Sequence, residues 1–163
     1  LNIVFAGFGG QGILFAGKVV AYAGLIEGRE LSWLPSYGPE MRGGTANCSI
    51  CLSDEPIGSP LVTNPNVLIA MNRPSLDKFV DEVEPGGTIL LDDVTVFYVP
   101  ASKLAEENGL KGLANIILVG KLRKELAFCT EETLDKALQK CIPARKADML
   151  GFNRKALEIG KAQ

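Results

Sequence analysis

Asn2-Ile3-Val4-Phe5-Ala6-Gly7-Phe8-Gly9-Gly10-Gln11-Gly12 decides the fold. A strand-length apolar run ends in a cluster of glycines, and from about Gly10 to Glu27 the chain continues in small and apolar residues at helical spacing. This is a strand, a glycine turn and a helix in succession. Ile13, Leu14, Phe15, Val19, Val20, Leu25 and Ile26 cover most of the helix circumference, so it is predicted to be buried on several sides or to serve a subunit interface. Gly17, Ala21 and Gly24 form a stripe of small side chains, and the two glycines each cost about 1 kcal/mol of helix propensity. Close packing is expected to offset that cost.

Working outward, Leu31–Leu34 reads as a second strand, followed by a loop from Pro35 to Gly44. Thr45–Leu52 reads as a strand that Ser53-Asp54-Glu55-Pro56 turns back into a hairpin. Val67–Met71, Thr88–Asp92 and Ile116–Val119 are short continuous apolar runs of the buried-strand type. A helix from about Ser75 to Val83 carries Leu76, Phe79, Val80 and Val83 on one face and stops at Pro85-Gly86-Gly87. Two helices close the sequence, one capped by Thr130 and one striped by Met149, Phe152, Ala156 and Ile159. The expected fold is a single Rossmann-like α/β domain over residues 1–163, a mostly parallel sheet with helices on both faces and one antiparallel hairpin.

Composition excludes several classes. Lys and Arg total 17 against 19 for Asp and Glu in 163 residues, so no strong field would draw nucleic acid or an anionic membrane. No apolar stretch approaches the roughly 20 residues of a membrane span. The sequence opens directly on strand residues without a signal-like basic region, and a cytoplasmic location is the expectation. There is no histidine, which removes Ser-His-Asp and Cys-His hydrolases and nearly removes zinc enzymes. Cys48 and Cys51 lie three apart in a predicted strand and so point to opposite faces, which argues against a shared metal. Cys141 and Cys129 read as core residues, and no metal site is expected.

Two segments carry candidate chemistry. Gly7-Phe8-Gly9-Gly10-Gln11-Gly12 satisfies G-x-G-x-x-G between a strand and a helix, where glycines allow a tight turn and free helix amides attract a phosphate. A nicotinamide dinucleotide also requires an acidic residue after the second strand, and Trp33-Leu34-Pro35-Ser36 stands there instead. A purely structural turn, a dinucleotide site and a site for another phosphate-bearing or backbone partner all remain open. Ser36-Tyr37-Gly38-Pro39-Glu40-Met41-Arg42-Gly43-Gly44 gathers a hydroxyl, a phenol, a carboxylate and a guanidinium in one loop. Arg42 can hold a phosphate or carboxylate in two-pronged fashion, or pair with Glu40 or a partner's acid. Both segments follow strand C-termini and are expected at one edge of the sheet. Asp92-Asp93 reads as a solvated turn, and Asn72 as a helix cap first and a ligand contact second.

Taken together, the G-F-G-G-Q-G turn and the S-Y-G-P-E-M-R-G-G loop leading into T-A-N-C-S-I-C-L-S-D-E-P-I-G-S-P resemble the gamma subunit of 2-oxoacid:ferredoxin oxidoreductases, a module also found inside single-chain pyruvate:ferredoxin oxidoreductases. The resemblance is motif-specific from Asn2 to about Asp92 and continues in length and helix pattern beyond it. It implies a subunit of an enzyme that decarboxylates a 2-oxoacid oxidatively to an acyl-CoA and passes electrons to ferredoxin or flavodoxin. The loop is similar to the version in enzymes for pyruvate, 2-oxoglutarate or branched-chain 2-oxoacids such as ketoisovalerate, not indolepyruvate. The resemblance places thiamine diphosphate, magnesium and 4Fe-4S clusters in partner alpha and beta subunits, with a delta subunit left open, and ferredoxin meets the complex through them. For this chain it implies no catalytic residue and no cofactor of its own. Its implied share is the coenzyme A side of the cleft, carried onto Gly7, Gly9, Gly10, Gln11 and Gly12 and onto Ser36, Tyr37, Gly38, Glu40, Arg42, Gly43 and Gly44. The alternative is a free-standing Rossmann-type nucleotide- or dinucleotide-binding protein.

Overall fold

The strands β1 (Asn2–Phe8), β2 (Glu30–Tyr37), β3 (Thr45–Ser53), β4 (Val67–Ala70) and β5 (Thr88–Leu91) form one sheet in the order β2-β3-β1-β4-β5. The computed structural model describes residues 1–37, 45–92 and 99–163. β1 pairs in parallel with β4, and β4 with β5, whereas β3 runs antiparallel to both β1 and β2. The sheet is therefore mixed, and the expectation of a mostly parallel one is corrected. The strand at Thr45–Ser53 does make an antiparallel pair with its sequence neighbour, but with the preceding β2 rather than through a turn at Ser53–Pro56. Its composition explains this. Ala46, Cys48, Ile50 and Leu52 are buried while Asn47, Ser49, Cys51 and Ser53 are not, the period-two alternation of an antiparallel strand with one open face.

Helices cover the two faces unequally. On one face α1 (Ile13–Ile26) lies over β1, β2 and β3, and α3 (Ala101–Glu107), α4 (Ala114–Leu126), α5 (Glu131–Cys141) and α6 (Met149–Lys161) complete that layer. Ile3, Phe5, Cys48, Ile50 and Ile69 meet Val19, Val20 and Ile116 in this main core. On the other face α2 (Arg73–Phe79) and a 3-10 turn at Val80–Glu82 cover only Val4, Ala6 and Leu68. That leaves Glu30, Ser32, Leu34, Ser36, Asn47, Ser49, Cys51 and Ser53 on an incompletely covered face of β2 and β3, uncharged but for Glu30 at the end away from the glycine turn.

The small-residue stripe of α1 finds its explanation here. A Cβ at Gly17 would run into Cys48 Sγ, and one at Gly24 into the Leu52 methyls, so α1 sits directly on β3. The helix spends its apolar surface inside the chain, with Leu25 and Ile26 exposed at its end, and does not supply a helix-wide interface. Ile116–Val119 is not a strand but part of α4. Residues 114–120 are buried on every side, and a helix buried all round is as continuously apolar as a buried strand. Pro35–Tyr37 belongs to β2 rather than to a loop, and Pro35 is tolerated because β2 is an edge strand. Among the described residues no helix is long and apolar enough to cross a membrane.

Candidate functional site

The glycine turn sits at the C-terminal end of β1, beside the end of β4, where the chain leaves β1 for one face of the sheet through α1 and leaves β4 for the other through α2. In α/β sheets such divergence opens a crevice at the strand ends. Gln11 N–H donates to the Phe8 carbonyl at 3.1 Å, and Gly10 and Gly12 take φ of 97° and 74°, the left-handed region open to glycine. The Gln11 side chain then bridges the crevice. Its Oε1 accepts from Phe8 N–H at 2.6 Å and from Asn72 Nδ2 at 2.9 Å, while its Nε2 donates to the Met71 carbonyl at 3.1 Å. Asn72 in turn accepts from Ser75 N–H at 2.9 Å and caps α2, the role its sequence position suggested.

Next to this clasp lies a cleft of about 380 Å³, lined by Gly10, Gln11 and Met71 at the strand ends, Ser102 and Glu106 on α3, and Lys111 before α4. Its size suits part of a cofactor-sized ligand. Asp92 does not offer a free carboxylate, since it accepts from both the amide (3.0 Å) and the hydroxyl (2.5 Å) of Ser102 at the start of α3. Asp93 lies outside the described residues.

Of the second predicted segment, Ser36 and Tyr37 end β2, and Gly38, Glu40, Arg42, Gly43 and Gly44 lie outside the described residues. The register fixes where that segment departs and returns. Tyr37 is paired with Ala46 and Thr45 with Phe8, so both of its ends are anchored at the sheet edge that carries the glycine turn. Tyr37 and Phe8 stand on either side of β3, about 10 Å apart by strand spacing.

Sequence reasoning missed three contributors to this edge: Asn115, Ser102 and Lys111. Asn115 is 3 % exposed and donates from Nδ2 to the Gly12 carbonyl at 3.0 Å. A lone amide in the apolar run Leu113–Val119 was its available signal. Elsewhere, Cys48 is buried on the α1 face and Cys51 points to the other, while Cys129 and Cys141 are core residues. Among the described residues no cluster of His, Cys, Asp or Glu is placed to hold a metal. A second cleft of about 310 Å³ between α4, α5 and α6 is lined by charged side chains, five of which pair within it. Arg154 bonds Asp135 at 2.6 Å and holds its carboxyl below the usual range, and Lys161 joins Glu131 (3.0 Å) to Glu158 (2.8 Å).

Residues 2–163 match the family model described as pyruvate ferredoxin/flavodoxin oxidoreductase. The ketoisovalerate oxidoreductase subunit VorA of Methanothermobacter thermautotrophicus is 41% identical over 98% of this chain, which spans only 35% of that subunit's length. The 2-oxoglutarate synthase subunit KorC of Methanocaldococcus jannaschii is 34% identical, the match covering 98% of this chain and 94% of KorC. Among solved structures, the keto/oxoacid ferredoxin oxidoreductase gamma subunit of Geobacter sulfurreducens superposes with a TM-score of 0.82 at 27% identity, covering 98% of this chain and 93% of that one. A chain of the 2-oxoglutarate:ferredoxin oxidoreductase of Magnetococcus marinus, solved with 2-oxoglutarate, coenzyme A and succinyl-CoA bound, gives 0.88 at 26% identity, covering 99% of this chain and 30% of that one.

Proposed function

This chain belongs to the pyruvate ferredoxin/flavodoxin oxidoreductase family, and from that premise we propose that it is the gamma-type module of a 2-oxoacid:ferredoxin oxidoreductase, acting over residues 1–163 as one domain. In the assembled enzyme the bond between C1 and C2 of the 2-oxoacid breaks, carbon dioxide leaves, the acyl group passes to the sulfur of coenzyme A as its thiol releases a proton, and two electrons reduce ferredoxin. Thiamine diphosphate, magnesium and 4Fe-4S clusters, held by partner alpha and beta subunits with a delta subunit left open, would supply the decarboxylation and electron-transfer chemistry. The observation that carries this reading is the family match along the whole of residues 2–163.

This chain's own part is to border the cleft on the coenzyme A side. The glycine turn and the two ends of segment 38–44 share one sheet edge beside the cleft of about 380 Å³, which supports a joint role for Gly7, Gly9, Gly10, Gln11, Gly12, Ser36, Tyr37, Gly38, Glu40, Arg42, Gly43 and Gly44. Backbone amides and a guanidinium suit phosphate and carboxamide groups. The open face of β2 and β3, uncharged but for Glu30 at one end and lying at the edge of the described sheet, suits burial against other subunits, because interface cores are depleted of charge. Four free thiols suit a reducing compartment, so the complex is assigned to the cytoplasm.

The test is to purify the native protein with whatever co-elutes and assay ferredoxin reduction with pyruvate, 2-oxoglutarate and ketoisovalerate, with and without coenzyme A. Reduction that needs both a 2-oxoacid and coenzyme A is expected from a fraction holding larger partner subunits. A protein that elutes alone, is inactive in this assay and binds NAD at micromolar concentration would instead be the free-standing nucleotide-binding alternative.

A further inference from the structure

Asn115 stands where the main core would accept an apolar side chain, between Ala114 and Ile116 in the wholly buried first half of α4. Its Nδ2 reaches across 103 positions of sequence to the Gly12 carbonyl at 3.0 Å. That carbonyl has no need of it, since it already accepts from Ala16 N–H at 3.0 Å in the first turn of α1. The other half of the carboxamide, Oδ1, is buried and finds no hydrogen-bond partner among the described residues. A half-satisfied amide in a core is generally worse for stability than an apolar group of similar shape. Folding alone therefore gives little reason for this residue.

What the amide does achieve is placement. A Cβ at Gly12 would come within 2.5 Å of Asn115 Nδ2, so the amide is seated against the left-handed residue that opens α1. The glycine turn is thereby held at both ends: Gln11 ties its outer side to Met71 and Asn72, and Asn115 ties its inner side to α4. The segment that carries Asn115 also brings Lys111, Gly112 and Ala114 to the cleft wall. We infer that Asn115 is a positioning residue for the glycine turn, fixing the turn's amides toward the cleft so that they meet coenzyme A in a set geometry. This inference rests on the coenzyme A reading given above. Sites whose geometry matters depend on such supporting contacts.

The experiment uses the assembled complex carrying Asn115→Ala in this chain, with three readouts. Amide exchange at residues 9–13 is expected to quicken, and the KM for coenzyme A to rise about tenfold while the KM for the 2-oxoacid stays. The melting temperature is expected to change by no more than about 2 °C, because the orphaned Oδ1 leaves with the amide. Wild-type exchange together with a wild-type coenzyme A KM overturns the inference. So does a lowered melting temperature with an unchanged KM, which would make Asn115 structural only. Should the alanine variant fail to assemble, Asn115→Ser is read by the same measurements and the same outcomes. If coenzyme A does not slow exchange at residues 9–13 in the wild-type complex, the coenzyme A reading fails, while quickened exchange in the variant still upholds the hold of Asn115 on the turn.

Discussion

Replacing Gly160 by alanine tests the closest backbone approach found at any of the described glycines. Helices α4 and α6 cross so closely that a Cβ at Gly160 would fall on the Ile117 carbonyl and within 3.0 Å of Lys121 N, and one at Gly120 would fall on the Leu157 carbonyl. These obstacles are backbone, so no rotamer change can clear them, and the helices would have to separate by well over an ångström. Overpacking of this kind costs about 3 kcal/mol, against which alanine recovers about 1 kcal/mol of helix propensity, leaving a net loss of about 2 kcal/mol. For a domain of this size the melting temperature should fall by about 4–8 °C. Gly151, in the same helix, has nothing within 4 Å of its would-be Cβ. Gly151→Ala should therefore stabilise by up to about 1 kcal/mol, a rise of about 1–4 °C. Thermal and urea unfolding of the two variants side by side is the assay. If Gly160→Ala stabilises as Gly151→Ala does, the helices are not in backbone contact and the packing described for this crossing is wrong.

Gln11→Ala removes the clasp between the glycine turn, Met71 and Asn72, and should lower stability by about 1–2 kcal/mol, a fall of about 2–8 °C in melting temperature; an unchanged melt would mean that water replaces the carboxamide without loss. Alkaline pH should also destabilise the fold. Burial pushes the thiols of Cys48 and Cys129 up to about 12 and that of Cys141 to about 11, from an ordinary value of 9.0. Below pH 9 both states hold these protons and the stability is intact. Above it the unfolded chain releases protons that the folded chain keeps, so stability falls by up to about 1.4 kcal/mol per pH unit for each thiol until the folded values are reached. Urea midpoints from pH 8 to 11 measure the slope, and Cys141→Ala should make it shallower by one thiol's share; an identical slope in that variant refutes the assignment.

The parts of the fold legible in the sequence are those whose cause is local. The glycine turn, the cap of α2 at Asn72, the Thr130 cap of α5 and the buried run Val67–Ala70 all announce themselves within a few residues. Strand order is not local. Nothing near Thr45 says that β3 will lie between β1 and β2, although its alternation of Asn47, Ser49 and Cys51 with Cys48, Ile50 and Leu52 already carried the antiparallel signal. The run Ile116–Val119 was ambiguous for a physical reason, because a helix segment buried on every side, as residues 114–120 are, loses the polar face that would betray its period. At the candidate site, the sequence pointed to residues on the motifs themselves and not to those that support the glycine turn from elsewhere. Asn115 and Ser102 touch the edge only through tertiary packing, and no spacing rule links positions 12 and 115.

The placement of β1 at the middle of the sheet has a kinetic meaning. β1 comes before both of its neighbours in chain order, and the contacts that complete it reach from Leu1 to Leu52, a separation of 51 residues, and from Asn2 to Asn66, a separation of 64. Each requires a long loop to close before any ladder bond repays it, so assembly of this sheet must be slow beside the growth of its helices. Until β4 is available, one whole side of the apolar strand Ile3-Val4-Phe5-Ala6 stands unpaired, an adhesive edge for any other chain nearby. A truncation ending before Val67 would keep that edge open permanently, and would be found in the insoluble fraction.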